Sequence, residues 1–491
     1  MFASVRTLLL GGMIGKALGI VRELISASLL GTGSIAAAFR LSQAAFVIPL
    51  NGLLAEALTS GFTPTYSRER AEYAVRSRAL FAGMHAVLLA FSTSMALLVA
   101  TLAIPWVRLL APGFDAHTVR LTSQMVQVMA WAMPPYALTS LCAAAELAAG
   151  RADMAAARAS IQSLGLIAGT VLAWWLSKPI LIPVGFVLAY VWLAGWSLKS
   201  VLSDSLRLWP RAADWLLAIK ALDGVWRAFR VVVWVPLLMQ VHFVVERRVA
   251  SVVNANAVAA LDYARFVSDT AVLLLAMPFG LAGLGAMARM DERQFHDAAW
   301  RSSRILLSIG IPLSAALAVN ADWVVKLIFA RGAFGAASVA TTAAILRGFA
   351  AGLWAQLVGY AGVKFLSARS HNRAVVTIYT AALACNIAFN LLLARVIGVA
   401  ALGAASAVSS LVLGLAILAR LNLLSSLRRD LVALISAAAG YIALSLVVST
   451  YMASNSWMPP VLFAGYWCIA GSAIPPCREA FADIWKLARS A

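Results

Sequence analysis

Long apolar runs govern what this chain can fold into. A helix of about 20 apolar residues spans a bilayer, and lipid offers no other partner for its backbone polar groups. With 62% hydrophobic and 12% charged residues, the composition is far from that of a soluble protein. We therefore predict an all-α integral membrane protein with about fourteen transmembrane helices. The runs lie near 5–27, 35–60, 80–106, 121–148, 156–177, 180–198, 229–250, 257–285, 302–327, 338–365, 374–394, 398–419, 431–452 and 458–476.

Arginine and lysine concentrate in alternate loops, which is typical of the cytoplasmic side of a membrane protein. This alternation predicts that both termini are cytoplasmic. The formal charge of +19 is spread over loops beside spans, so it indicates contacts with anionic lipid headgroups and not nucleic acid. The basic loops carry Arg68, Arg70, Arg76, Arg78, Arg151, Arg158, Lys199, Arg207, Arg211, Lys220, Arg227, Arg289, Arg293, Arg301, Arg369, Arg373, Arg420, Arg428 and Arg429, and the tail carries Arg478, Lys486 and Arg489.

Two stretches of the chain repeat one pattern. When Glu23 is aligned with Glu246, the same offset pairs further identical residues and matching apolar residues. Membrane proteins built from two related bundles usually bind substrate between the halves, so the duplication favours a transporter. The identical pairs are Ala27/Ala250, Ser28/Ser251, Ala36/Ala259 and Ala37/Ala260.

Charged residues inside the predicted spans concentrate in these repeated segments. Such residues usually face a cavity or one another, because an unpaired ion in hydrocarbon is costly. A cluster of cations suits a pyrophosphate, since arginine matches phosphate oxygens and lysine adds a point charge. Ion pairing of Glu23 with Arg22 or Lys16 is the alternative role. The segments contain Lys16, Arg22, Glu23, Arg40 and Glu56, then Glu246, Arg247, Arg248, Asp262, Arg265 and Asp269.

No motif of enzyme chemistry accompanies these charges. The sequence has no nucleotide-binding glycine loop and no pair of histidines at metal-ligand spacing. We expect no catalysis, cofactor or metal, and energy from an ion gradient, the membrane potential or the substrate gradient. Asp262 and Asp269 either balance Arg265 or bind a coupling cation.

Six short motifs follow one another along the chain. They are Gly15–Glu23 (GKALGIVRE), Gly31–Gly33 (GTG), Ala259–Arg265 (AALDYAR), Met277–Leu281 (MPFGL), Ile328–Phe334 (IFARGAF) and Lys364–Arg369 (KFLSAR). Their order and spacing resemble the MurJ/MviN lipid II flippases of the multidrug/oligosaccharidyl-lipid/polysaccharide exporter superfamily.

The resemblance implies two pseudo-symmetric six-helix lobes around a cationic cavity, with two C-terminal helices forming a groove for a polyprenyl tail. It implies transfer of an undecaprenyl-pyrophosphate-linked saccharide to the periplasmic leaflet of the bacterial inner membrane, with glycan-synthesis enzymes as further partners. By position, Arg22 and Arg265 match cavity arginines of the family, and Lys16 replaces another. The candidate substrate-binding residues are Lys16, Arg22, Glu23, Arg40 and Arg265, and the candidate ion-coupling residues are Asp262 and Asp269.

Three further positions depart from the family pattern. Its acidic residue in the second helix falls at Ala37, and its later pair of arginines falls near Asn51 and Gly52. Two substrates therefore remain open, lipid II and another lipid-linked glycan such as an exopolysaccharide repeat unit. An ion-coupled multidrug exporter and a non-transporting scaffold of glycan synthesis are the other readings.

The predicted organisation has four parts. An N-terminal lobe of helices 1–6 occupies residues 1–202, and a cytoplasmic linker occupies 203–228. A C-terminal lobe of helices 7–12 occupies 229–420, and the last two helices with a cytoplasmic tail occupy 421–491.

Overall fold

The computed structural model is built from α-helices and the π-helical segment Ala57–Phe62, joined by turns and short loops, in the residues that it describes. It describes residues 2–50, 54, 57–203, 206–211, 214–287, 290–451, 458–475, 478–479 and 482, and no strand occurs among them. The all-α prediction is confirmed. The predicted Glu56, Asn51 and Gly52 positions lie outside the described residues.

Eight described helices are long and apolar enough to cross a bilayer, or nine if a bent pair is one span. That pair, Ala116–Ala130 and Met133–Ala148, bends by 45°. The bent pair corresponds to the fourth predicted span, and the first, second, seventh, eighth and fourteenth predicted spans are absent from this set, so the number fourteen stays a prediction. The eight are Val75–Thr101, Asp153–Trp175, Leu181–Val201, Glu292–Val319, Ala336–Ala368, Asn372–Ile397, Ala400–Arg420 and Leu424–Val448.

The chain divides into two compact units. One comprises Met1–Ala259 with Arg331–Gly335, and the other comprises Ala260–Ala330 with Ala336–Ala491. The predicted four-part division along the sequence stays a prediction.

The helices up to residue 253 are α1 (Phe2–Leu30), α2 (Ser34–Leu50), the π-helix (Ala57–Phe62), α3 (Thr63–Glu72), α4 (Ala74–Thr101), α5 (Ala103–Leu110), α6 (Ala116–Ala130), α7 (Met133–Ala148), α8 (Asp153–Trp175), α9 (Leu181–Ser203), α10 (Trp215–Val232) and α11 (Trp234–Val253). They continue with α12 (Ala257–Met287), α13 (Glu292–Val319), α14 (Ala321–Phe329), α15 (Ala336–Ala368), α16 (Asn372–Ile397), α17 (Ala400–Arg420), α18 (Leu424–Tyr451) and α19 (Met458–Ala473).

Small residues let the helices of the first unit approach closely. A Cβ added to Gly15 of α1 would lie 2.8 Å from Cβ of Ala159 on α8, and one added to Gly165 of α8 would lie 2.6 Å from Cβ of Ala189 on α9. Small residues at such crossings maximise van der Waals contact where lipid provides no hydrophobic driving force. They fix α8 between α1 and α9.

Helix α10 occupies part of the segment predicted as a linker. It packs against α4 and the π-helix, where Gly83 faces Ala218 and Gly61 faces Val225. Lys220 and Asp223 interrupt its apolar residues, so hydropathy alone does not reveal it as part of the core. Its apolar face is nevertheless packed within the first unit.

The second unit is built around α15. Close approaches at Gly348 and Gly403 join α15 to α17, and the Ser314 hydroxyl of α13 accepts a hydrogen bond from the Trp354 amide at 2.9 Å. Arg304 of α13 forms ion pairs with Asp430 of α18 at 2.8 Å and with Glu479 at 2.7 Å.

Helix boundaries follow the sequence repeat. Helix α1 ends at Leu30 and α2 begins at Ser34, whereas α11 ends at Val253 and α12 begins at Ala257. The two helix ends, and likewise the two helix starts, are separated along the chain by the same offset that aligns Glu23 with Glu246. The two repeated segments therefore form equivalent helix ends joined by equally short links.

Two glycine-containing loops of the first unit contact the equivalent helix ends. The Ala333 amide donates to the carbonyl oxygen of Ser28 at 2.7 Å, and the adjacent Gly332 has a φ of +55° and packs on the Ser28 backbone. Gly113 likewise packs on the backbone of Ser251, which the repeat aligns with Ser28. A loop thus covers each repeated helix end.

Replacing Gly332 by Ala should lower stability by about 1–3 kcal/mol, because a Cβ there would occupy a strained φ and collide with the Ser28 carbonyl. Gly335→Ala is the matched control in the same loop, since a Cβ at Gly335 meets nothing within 4 Å. The measurement is the melting temperature of the purified protein in detergent. Equal melting temperatures for the two variants would contradict the packing described.

Candidate functional site

Glu23 lies between two arginines and forms an ion pair with each of them. Its carboxylate accepts hydrogen bonds from Arg22, whose Nη2 lies 2.7 Å from Oε1, and from Arg40, whose Nη1 lies 3.2 Å from the same oxygen. A second Arg40 nitrogen, Nη2, donates to Oε2. The link Gly31–Thr32–Gly33 turns the chain between α1 and α2, which brings residues that are 17 positions apart into contact.

Burial divides this cluster into a fixed and an accessible part. Glu23 is 3% exposed and Arg40 is 6% exposed, whereas the Arg22 side chain is 21% exposed. One carboxylate thus contacts two guanidinium groups. Removing Glu23 would take from the buried Arg40 the carboxylate that it contacts, and breaking a buried ion pair is strongly destabilising. Arg22 has accessible surface for a ligand, while Arg40 is committed to Glu23.

Lys16 lies on an open part of α1. It is exposed, and at its neighbours Gly12 and Gly19 an added Cβ would meet nothing within 4 Å. Positions 12, 16 and 19 share one helical face because side chains three and four apart are neighbours. The helix therefore presents a lysine on a face that glycine keeps free of bulk.

The repeat-related carboxylate, Glu246, is also buried. It is 0% exposed, and its Oε2 lies 3.9 Å from Nε2 of His242, one helical turn earlier. Arg247 is buried, whereas Arg248 is exposed and donates a hydrogen bond to the carbonyl oxygen of Leu109 at 3.0 Å. The two glutamates that the sequence repeat aligns, Glu23 and Glu246, are therefore both buried.

In the second unit, Asp262, Arg265 and Asp269 lie on α12 at spacings of three and four, which place them on one face. Arg265 is partly buried, and its guanidinium carbon lies 5.9 Å from the ring centroid of Phe349. Asp269 is exposed. The substrate and ion-coupling roles of these residues stay predictions.

Ala37, where the resemblance places an acid in the family, is 0% exposed. It lies one turn before Arg40 on α2. The carboxylate that Arg40 contacts is that of Glu23, on α1.

Arg158 is a charged residue whose environment the sequence analysis misjudged. The charge pattern assigns Arg158 to a cytoplasmic loop. In the structure it lies within α8 and lines a cavity of about 190 Å³ in the first unit. Its guanidinium carbon is 4.3 Å from the ring centroid of Tyr136. The available signal was its position inside the predicted span 156–177, which should have outweighed its nearness to Arg151.

We expect Glu23→Gln to lower stability by about 3–5 kcal/mol, because Arg40 would remain buried without its carboxylate. Glu292→Gln is the control, since the Glu292 side chain is 89% exposed and such surface pairs contribute about 0–1 kcal/mol. Folded yield and melting temperature after purification are the readouts. A Glu23→Gln protein as stable as the control would refute the role assigned to this carboxylate.

Comparison with known proteins identifies the family. The family model described as "Lipid II flippase MurJ" matches residues 26–470. The chain is 26% identical over 372 residues to the probable lipid II flippase MurJ of Synechocystis sp., covering 70% of this chain and 66% of that protein. That is just under two thirds of the relative's length. A Rhizobium tropici protein with the same description is 27% identical over 81% of this chain and 77% of its own length.

Solved structures share the fold. A lipid II flippase MurJ structure in an inward closed conformation superposes with a TM-score of 0.81 at 16% identity, over 95% of this chain and 98% of that one. An inward-facing multidrug resistance MATE family transporter gives 0.71 at 13% identity, over 84% and 96%. At these identities the structures establish the fold alone. Since the family model spans most of the sequence, this multi-pass membrane protein belongs to the MurJ lipid II flippase family.

Proposed function

We propose that this protein is a flippase that moves an undecaprenyl-pyrophosphate-linked saccharide from the cytoplasmic to the periplasmic leaflet of the bacterial inner membrane. The observation that carries the proposal is the arrangement of charge on α1. Glu23 and Arg40 are buried against each other, while Arg22 and Lys16 retain accessible surface. Family membership supplies the class of substrate.

A diphosphate is the chemical group that this arrangement suits. Arg22 offers a planar fork that its bond to Glu23 holds in place, so less conformational entropy is lost when phosphate oxygens bind. Lys16 offers a point charge beside glycines that leave room for a headgroup. Arg265 of the second unit, near the Phe349 ring, is a further cation that we propose contributes to substrate binding.

The proposed mechanism is alternating access. The headgroup enters from the cytoplasm and binds the cations while the polyprenyl tail stays in lipid, and the two halves then move to release it outside. Asp262 and Asp269 are the proposed sites for a coupling cation, with the membrane potential as the other energy source. Both termini are assigned to the cytoplasm from the positive charge of alternate loops.

The replacement of the family's acidic residue by Ala37 is compatible with a second substrate besides lipid II. An acid in a ligand site can accept hydrogen bonds from sugar hydroxyls, and an alanine cannot. An exopolysaccharide repeat unit on the same lipid diphosphate is therefore the second candidate. In both cases the cations bind the shared diphosphate, and only the saccharide differs.

Two further readings have less support. A multidrug exporter is compatible with the fold, because a MATE transporter superposes on it. Cationic drugs, however, would be repelled by Lys16 and Arg22, both of which have accessible surface. A scaffold that does not transport would have no need for the accessible cations.

Transport by purified protein in liposomes tests the proposal. Arg22→Gln and Arg265→Gln should each reduce flipping of a polyprenyl-diphosphate-linked saccharide by at least tenfold, because each loses a cation that binds the diphosphate. Lys16→Arg should retain activity, since the charge is preserved.

Arg395→Gln is the matched control, because Arg395 is exposed in the last turn of α16. Its flipping rate should equal that of the unmodified protein. Comparable rates for Arg22→Gln, Arg265→Gln and this control, at equal reconstitution, would disprove the proposed role of the cations. Running lipid II beside an exopolysaccharide precursor separates the two candidate substrates.

A further inference from the structure

The cavity beside Arg158 lies inside the helix bundle of the first unit. Residues of α2, α7, α8 and α9 surround it, and its volume is about 190 Å³, several times the roughly 30 Å³ of one liquid water molecule. A saccharide on a lipid diphosphate is too large for this space. The lining residues are Gln43, Phe46, Val47, Tyr136, Arg158, Gln162, Phe186 and Tyr190.

Aromatic rings hold the Arg158 guanidinium at this cavity. The Tyr136 ring centroid lies 4.3 Å from its central carbon and that of Tyr190 lies 5.9 Å away. The Tyr190 hydroxyl lies 3.5 Å from Nε and donates a hydrogen bond of 2.9 Å to Oε1 of Gln162. Ring faces attract the cation but provide no negative charge to balance it.

No carboxylate pairs with Arg158 among the residues that the structure describes. Its partners are tyrosines, and the other polar lining groups are the amides of Gln43 and Gln162. Because Oε1 of Gln162 already accepts from Tyr190, its Nε2 group remains a donor at the cavity. Guanidinium and amide donors thus converge on a space that contains no acidic side chain.

We propose that this cavity binds a small monovalent anion such as chloride. A partly buried guanidinium among membrane helices is costly without a counter-charge, and one monovalent anion would neutralise it. The arginine provides directed N–H donors, and the glutamine amides complete the coordination. The site is distinct from the accessible cations of α1 and does not depend on the proposed flippase activity.

Binding of bromide to the purified full-length protein tests this site. The melting temperature is measured while sodium bromide replaces sodium gluconate at constant ionic strength. The unmodified protein should show a saturable rise, because the anion binds only the folded state. Arg158→Gln should lose this rise, and Arg158→Lys should weaken the apparent affinity by roughly tenfold, since the planar fork is lost. Arg395→Gln, with an exposed arginine removed, should respond as the unmodified protein does.

A second variant keeps the test decisive if Arg158→Gln does not fold. Gln162→Glu places a carboxylate of nearly the same size in the cavity, where it can neutralise Arg158 directly. This variant should be as stable without bromide as the unmodified protein is with it, and its melting temperature should no longer depend on bromide.

Crystals grown in bromide locate the anion independently. An anomalous scattering peak in the cavity of the unmodified protein, absent in Gln162→Glu, would support the site. An unmodified protein whose melting temperature shows no saturable dependence on bromide would overturn the proposal. So would an Arg158→Gln or Gln162→Glu protein with the same dependence as the unmodified one.

Discussion

A charge within hydrocarbon must meet an opposite charge, and at the start of this chain the pairing is provided by Glu23. Its carboxylate joins Arg22 on its own helix to Arg40 on the next one. Because Arg40 is almost completely buried, the α1–α2 hairpin depends on this contact as well as on packing. The same carboxylate also contacts Arg22, whose side chain is 21% exposed.

The rest of the first unit supports that hairpin. Small residues bring α8 against α1, and the loop that contains Gly332 packs on the backbone of Ser28 near the end of α1. The repeat-related loop at Gly113 does the same at Ser251. Lys16 and Arg22 therefore belong to a helix that is packed near both of its ends, which favours fixed positions before a ligand binds. Such preorganisation reduces the entropic cost of binding.

Sequence reasoning identified what depends on local pattern. Apolar runs predicted the helices, and the repeat gave the equivalent helix ends at Leu30 and Val253. Pairing of Glu23 with Arg22 was foreseeable because the residues are adjacent. The second bond, to Arg40, was not, since it depends on the angle at which α2 returns.

Other features depend on tertiary contacts that no periodicity records. The apolar face of α10 packs on α4 and the π-helix, although Lys220 and Asp223, which interrupt the apolar pattern, are exposed. Arg158, whose charge the sequence pattern assigns to a cytoplasmic loop, lies in α8 beside the rings of Tyr136 and Tyr190. In both cases the packing partners are distant along the chain, so neither the hydropathy nor the charge pattern reveals them.

The most direct test of the central claim is to delete the gene in its host and quantify undecaprenyl-linked intermediates by mass spectrometry. The account predicts accumulation of one lipid-linked saccharide. Accumulated lipid II with lysis would identify a peptidoglycan flippase, and a trapped repeat unit in viable cells that lack one surface polysaccharide would identify the specialised substrate. Unchanged pools of every undecaprenyl-linked lipid would contradict the claim that this protein moves such a substrate.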